Sequence, residues 1–85
     1  MFAVIWYDPA LDALADAFVV ADLPTRHAIE RAVTRLNARL ASDPETLGES
    51  RPGQGRRIAF DRPCAIRYTV DRAGGVVRVT RFWTY

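Results

Sequence analysis

Eighty-five residues leave room for one domain with a small core, so each buried aromatic counts. Apolar residues make up 49% of the chain and charged residues 26%, a globular balance and not a disordered one, with a formal net charge of only +2. One cysteine, Cys64, and one histidine, His27, exclude an internal disulfide, a multi-thiolate or His-based metal site and a Ser-His-Asp triad.

The chain opens on Phe2 to Tyr7, six aromatic or β-favouring residues closed by Asp8-Pro9. This run predicts a strand buried on both faces. It is short and lacks a basic start, so it is not read as a signal peptide, and no run approaches the ~18 apolar residues of a membrane span. A lone cysteine fits a reducing cytosol, and a cytoplasmic location is expected. Asp8 as N-cap and Pro9 at the first helical position start a helix over about 9–21, with Leu11, Leu14 and Phe18 as its apolar stripe. Asp12 and Asp16 fall in the half of that helix where its dipole favours acids.

Asp22-Leu23-Pro24 ends the first helix and starts a second over about 24–42, with its stripe at Ile29, Val33, Leu36 and Leu40. Arg31, Arg35 and Arg39 form a row roughly opposite that stripe, a solvated face or a rim for an acidic partner. Residues 43–55, with Pro44, Gly48, Pro52, Gly53 and Gly55 and no periodicity, read as a long loop.

Three strands follow: residues 56–60, 64–71 and 76–85, joined by turns at Asp61-Arg62-Pro63 and Arg72-Ala73-Gly74-Gly75. The basic residues of the chain are all arginine, and eight of the twelve lie in residues 51–85. Guanidinium groups suit bidentate phosphate contacts and make poor general bases near neutral pH. On the middle strand Cys64, Ile66, Tyr68 and Val70 share one face, and Ala65, Arg67, Thr69 and Asp71 the other. Pairing Phe60 with Cys64 sets Arg57 opposite Arg67, and Arg78 then faces the same way beside Thr69 or Asp71. Like charges directly opposed on a sheet are destabilising unless solvent or an anion compensates, which leaves two readings, three solvated arginines on an exposed face or a phosphate-binding surface, the latter favoured because the arginines converge. The candidate nucleic-acid contacts are Arg56, Arg57, Arg67 and Arg78. Arg81 has the parity of Val77 and Val79 and faces away unless a bulge turns it. Asp61 is read as capping its turn. Cys64, Tyr68, Trp6, Phe60 and Trp83 are read as core, with Trp83 or Phe82 as the alternative platform for a stacked base. His27 is read as facing solvent.

The order strand, helix, helix, loop, three antiparallel strands is an α+β arrangement in one domain over residues 1–85, the later strands packed on a helical hairpin. It resembles the RelE/ParE superfamily of type II toxin–antitoxin toxins. The residues that carry the resemblance are Val4-Ile5-Trp6-Tyr7-Asp8-Pro9-Ala10, Ile29 to Leu36, Asp43-Pro44, Arg57-Ile58-Ala59-Phe60, Ile66 to Asp71 and Val76-Val77-Arg78-Val79. The resemblance implies a toxin with a cognate antitoxin, free of metal and cofactor and with no membrane role, of the kind linked to plasmid stabilization. Its target is either mRNA on the ribosome, cleaved by an endoribonuclease, or DNA gyrase, inhibited without catalysis. A member that only binds its partner is the third expectation. Many ribonuclease relatives carry Tyr-Arg where this chain has Cys64-Ala65, which leaves Arg67 as the substitute. Arg57, Arg67, Arg81 and Tyr85 are thus the candidate catalytic residues, with Tyr85 or Tyr68 as proton shuttle.

Overall fold

A computed structural model describes residues 1–51 and 55–85. Among these, five strands and three helices occur in the order β1 (Ala3–Trp6), α1 (Asp8–Val20), α2 (Leu23–Ser42), α3 (Pro44–Leu47), β2 (Glu49–Ser50), β3 (Arg56–Asp61), β4 (Cys64–Asp71) and β5 (Val76–Thr84). One mixed sheet results, ordered β1-β5-β4-β3-β2, antiparallel throughout except that β1 runs parallel to β5. That parallel pair requires a crossover, and the helical hairpin lies within it.

The helices cover one face of the sheet: α1 packs on β5, and α2 on β1 and β4. Ile29, Ala32, Leu36 and Leu40 of α2 meet Ala59, Cys64, Ile66, Tyr68, Val77, Val79 and Phe82 of the strands in one core. Asp22 is the N-cap of α2, its carboxylate accepting from the Thr25 N–H at 2.9 Å, and the Thr25 side chain together with that N–H holds its pKa below the usual carboxylate value. Among the described residues no helix covers the other face of the sheet.

Four expectations change. Asp8 lies inside the first turn of α1 and Tyr7 takes the cap position without a side-chain bond. The buried stripe of α1 runs through Ala10, with Ala13, Leu14, Ala17 and Phe18 packed against the core, while Leu11 is exposed. The opening strand is not buried on both faces. As an edge strand it turns Val4 and Trp6 to the core, with Ile5 left exposed on the uncovered side. Residues 43–51 are not a structureless loop either, since α3 and the two-residue β2 form there; Pro52 and Gly53 lie outside the described residues. Long-range bonds hold this segment. The Tyr68 hydroxyl donates to the Pro44 carbonyl at 2.7 Å, and Arg72 grips the Glu45 carboxylate with two nitrogens at 3.2 and 2.6 Å. No described helix is long and apolar enough to cross a membrane.

Candidate nucleic-acid interface

The turn between β3 and β4 uses two residues, Arg62 and Pro63, so Asp61 pairs with Cys64 and Phe60 with Ala65. This register differs by one residue from a hairpin that pairs Phe60 with Cys64. A one-residue slip carries every side chain of a strand to the other face. Arg57 therefore stands beside Tyr68, on the helix-covered side, and not opposite Arg67. Its guanidinium donates to the Gly48 carbonyl, while its buried Nε has no hydrogen-bond partner among the described residues. Arg57 ties the start of β2 to the sheet and is removed from the uncovered face.

A bulge supplies its replacement. Along β4 and β5, Arg67 pairs with Arg81 and Tyr68 with Val79, leaving Thr80 as the extra residue. Its hydroxyl donates to the Arg67 carbonyl at 3.2 Å and fills the irregularity. The extra residue inverts the alternation of β5. Val77 and Val79 point to the helices before it, and Phe82 is buried after it. Arg81 and Trp83 turn to the uncovered face.

That face can be read in rows across the strands. Arg56, Thr69, Arg78 and Ile5 make one row. Glu49, Ile58, Arg67 and Arg81 make the next, and Phe60, Ala65 and Trp83 the third. Four arginines from three adjacent strands thus share one surface. Arg67 and Arg81 are directly opposed cations on neighbouring strands, an arrangement that costs stability unless something anionic sits over it. Among the described residues neither takes part in an ion pair, nor does Arg56. Arg78 lies 3.8 Å from Asp71, and Glu49 is held by Arg51 at 3.0 Å.

Tyr85 follows Trp83 at the end of β5. Its N–H donates to the Pro63 carbonyl at 3.0 Å, which fixes the terminal residue against the β3–β4 turn. Its ring meets Phe60 edge-on, and the Arg62 guanidinium lies 4.5 Å above it. Phe60 and Trp83, read from sequence as core, are exposed here because the aromatic row falls on the side without helices. Phe82 is on the buried side against Trp6, out of reach of any ligand on the arginine face.

Tyr68 is core. Burial pushes its pKa up, only partly opposed by Arg57 beside the hydroxyl, and it lies on the wrong side of the sheet to serve that face. Asp61 does not simply cap its turn: Arg35 of α2 reaches it with bidentate bonds of 2.9 and 2.7 Å, which lowers its pKa. The buried Cys64 thiol is pushed up to about 11 by desolvation, so it is neither a nucleophile nor a ligand near neutral pH. His27 is exposed near the start of α2, at its fifth residue. Among the described residues no cluster of His, Cys, Asp and Glu could hold a metal. Glu49 is a residue of this surface that sequence reasoning missed. Its only signal was position in a stretch without periodicity, and a two-residue strand leaves no period to detect.

Neither a protein-family model nor a curated protein matches the sequence. Solved structures do. A chain of the toxin–antitoxin complex RelBE2 from Mycobacterium tuberculosis superposes with a TM-score of 0.76 at 20% identity, covering 99% of this chain and 98% of that one. A chain of the chromosomal ParDE TA system from P. aeruginosa gives 0.74 at 15% identity, over 99% and 96%. The isolated E. coli RelE toxin gives 0.70 at 16% identity, over 99% and 84%. The fold is that of the RelE/ParE toxins, and it is shared by both branches.

Proposed function

We propose that this chain is the toxin of a type II toxin–antitoxin pair and that its uncovered sheet face grips RNA, with ribosome-dependent mRNA cleavage as the outcome. One observation carries the reading: Arg56, Arg67, Arg78 and Arg81 converge on a single surface, two of them directly opposed and without a carboxylate partner among the described residues. A cognate antitoxin, small and acidic in the part that covers this face, is the partner that such a surface requires in the resting cell.

The chemistry is attack of a ribose 2′-hydroxyl on the adjacent phosphate, with the 5′-oxygen leaving. Charge accumulates on the phosphate oxygens, where Arg67 and Arg81 stabilise it electrostatically. Two protons must also move, and arginine does this poorly. Glu49, in the row of Arg67 and Arg81, is the carboxylate placed to accept the proton of the attacking hydroxyl once Arg51 releases it. The Tyr85 phenol, at the other end of the surface, is the group left to supply a proton to the leaving oxygen.

A second reading, a DNA gyrase inhibitor without catalysis, is favoured by one fact. The face carries no histidine among the described residues, and its two carboxylates, Glu49 and Asp71, are each engaged with an arginine.

Inducible expression in a bacterium separates the two. The ribonuclease reading expects growth arrest, relief by the neighbouring gene, and new mRNA 5′ ends that vanish in an Arg67→Ala, Arg81→Ala double variant and weaken in Glu49→Gln. Arrest with intact mRNA and an induced DNA-damage response overturns it in favour of gyrase. No arrest at all leaves a chain that only binds its partner.

A further inference from the structure

Next to the arginine rows lies an aromatic corner that phosphate binding leaves unused. Phe60, Trp83 and Tyr85 are 48%, 37% and 46% exposed, a large share for three aromatic residues in one small domain. They are held together on the uncovered side. Phe60 and Trp83 rings are 6.4 Å apart at 85°, and Phe60 and Tyr85 rings 5.7 Å apart at 80°. Between Phe60 and Trp83 in the pairing stands Ala65, fully buried beneath the two rings, which meet edge to face above it. Arg62 roofs the Tyr85 ring.

We propose that this corner is the subsite for one unpaired base of single-stranded RNA, whose phosphates run over the neighbouring Arg67–Arg81 row. The proposal rests on the RNA reading of that face and adds to it where the base goes. Charge argues for this occupant over a second protein: the aromatic edges adjoin two guanidinium groups without an ion-pair partner among the described residues on one side and Arg62 on the other. The near-perpendicular rings exclude a sandwich, which needs two parallel rings spaced for a base between them. The base instead lies flat on one exposed ring and abuts the edge of another, a mode open to every base because each has a π-face. Purines, with the larger stacking surface, are held more tightly than pyrimidines.

Trp83 reports the event directly, because the second tryptophan, Trp6, is packed against Phe82 with its N–H bonded to Asn37 at 2.8 Å. Titrating the full chain with short oligoadenylate is expected to quench Trp83 emission, more strongly than oligouridylate, and Trp83→Phe is expected to lose most of the change. By anisotropy of labelled oligoadenylate, Trp83→Leu and Phe60→Ala should each weaken binding roughly five- to a hundredfold. Trp83→Leu keeps an apolar side chain at a partly exposed position, so folding is retained if Phe60→Ala proves unstable. Unchanged Trp83 emission on RNA binding, or full affinity in Trp83→Leu while Arg67→Ala, Arg81→Ala loses it, overturns the corner and leaves the RNA face standing. No binding of oligoadenylate to the wild type, together with uncut mRNA in expressing cells, overturns both. Cut mRNA without such binding overturns the corner alone.

Discussion

The arginines of this chain divide into two kinds by what each touches. Arg57 is structural: it satisfies the Gly48 carbonyl from the covered side of the sheet. Removing it leaves a carbonyl without its donor, a loss of about 1–3 kcal/mol. Arg67 and Arg81 are the opposite case, two cations paired across adjacent strands. Neutralising either removes a repulsion, and Arg67→Gln or Arg81→Gln should stabilise the free chain by roughly 0.2–1 kcal/mol. Urea denaturation checks both signs: Arg57→Ala lowers the midpoint, and the two glutamine variants raise it while losing RNA binding. A chain in which Arg57→Ala is neutral and Arg81→Gln destabilising would have its arginines in the reverse roles. Stability gained where binding is lost is the pattern of a site kept for function.

At the scale of elements, the β3–β4 hairpin is fastened to α2 by one ion pair. The Asp61 carboxylate is 17% exposed and takes two bonds from Arg35, which hold its pKa below the ordinary carboxylate value. A group whose folded pKa is depressed contributes its stability above the unfolded value, and that contribution is lost as pH falls through the folded one. Thermal melts should therefore show wild type more stable than Asp61→Asn from neutral pH down to about 4, with the two curves converging below it. A constant gap down to pH 2 would mean that the carboxylate charge is not what Arg35 reads. This hairpin also marks how far the sequence could be read. The order of the major elements, the α2 stripe and the alternation of β4 follow from periodicity, and they are where periodicity is long. The register of β3 against β4 is not periodic information, since it depends on whether the turn holds two residues or three. The bulge at Thr80 is one residue in nine and breaks no compositional rule. Those two local choices exchange Arg57 for Arg81 on the uncovered face, so the existence of an arginine surface was legible while its membership was not. β2 escaped notice because it is only two residues long.

The molecule as a whole gathers its uncompensated positive charge on the uncovered face. The helical hairpin sets Asp8, Asp12, Asp16, Asp22 and Glu30 against Arg26, Arg31, Arg35 and Arg39, whereas the face sets four arginines against Glu49 and Asp71, so a net charge of only +2 understates the local field. On the RNA reading a polyanion meets the arginine side, and focusing by its excess of positive charge speeds the encounter. If all four guanidinium groups contact phosphates, the counterions released from a single strand set the salt dependence. The logarithm of the binding constant should then fall against the logarithm of salt concentration with a slope of about −3, and each arginine replaced should make the slope shallower by about 0.7. The corner variants Trp83→Leu and Phe60→Ala remove stacking without removing charge, so they should lower affinity at every salt concentration and leave the slope as it is. Anisotropy titrations of one labelled oligoribonucleotide over a range of salt measure both quantities at once. A slope near zero in the wild type would mean that the arginine face does not meet the backbone. A slope that changes with Trp83→Leu would mean that the aromatic corner acts by positioning the phosphates and not by holding the base.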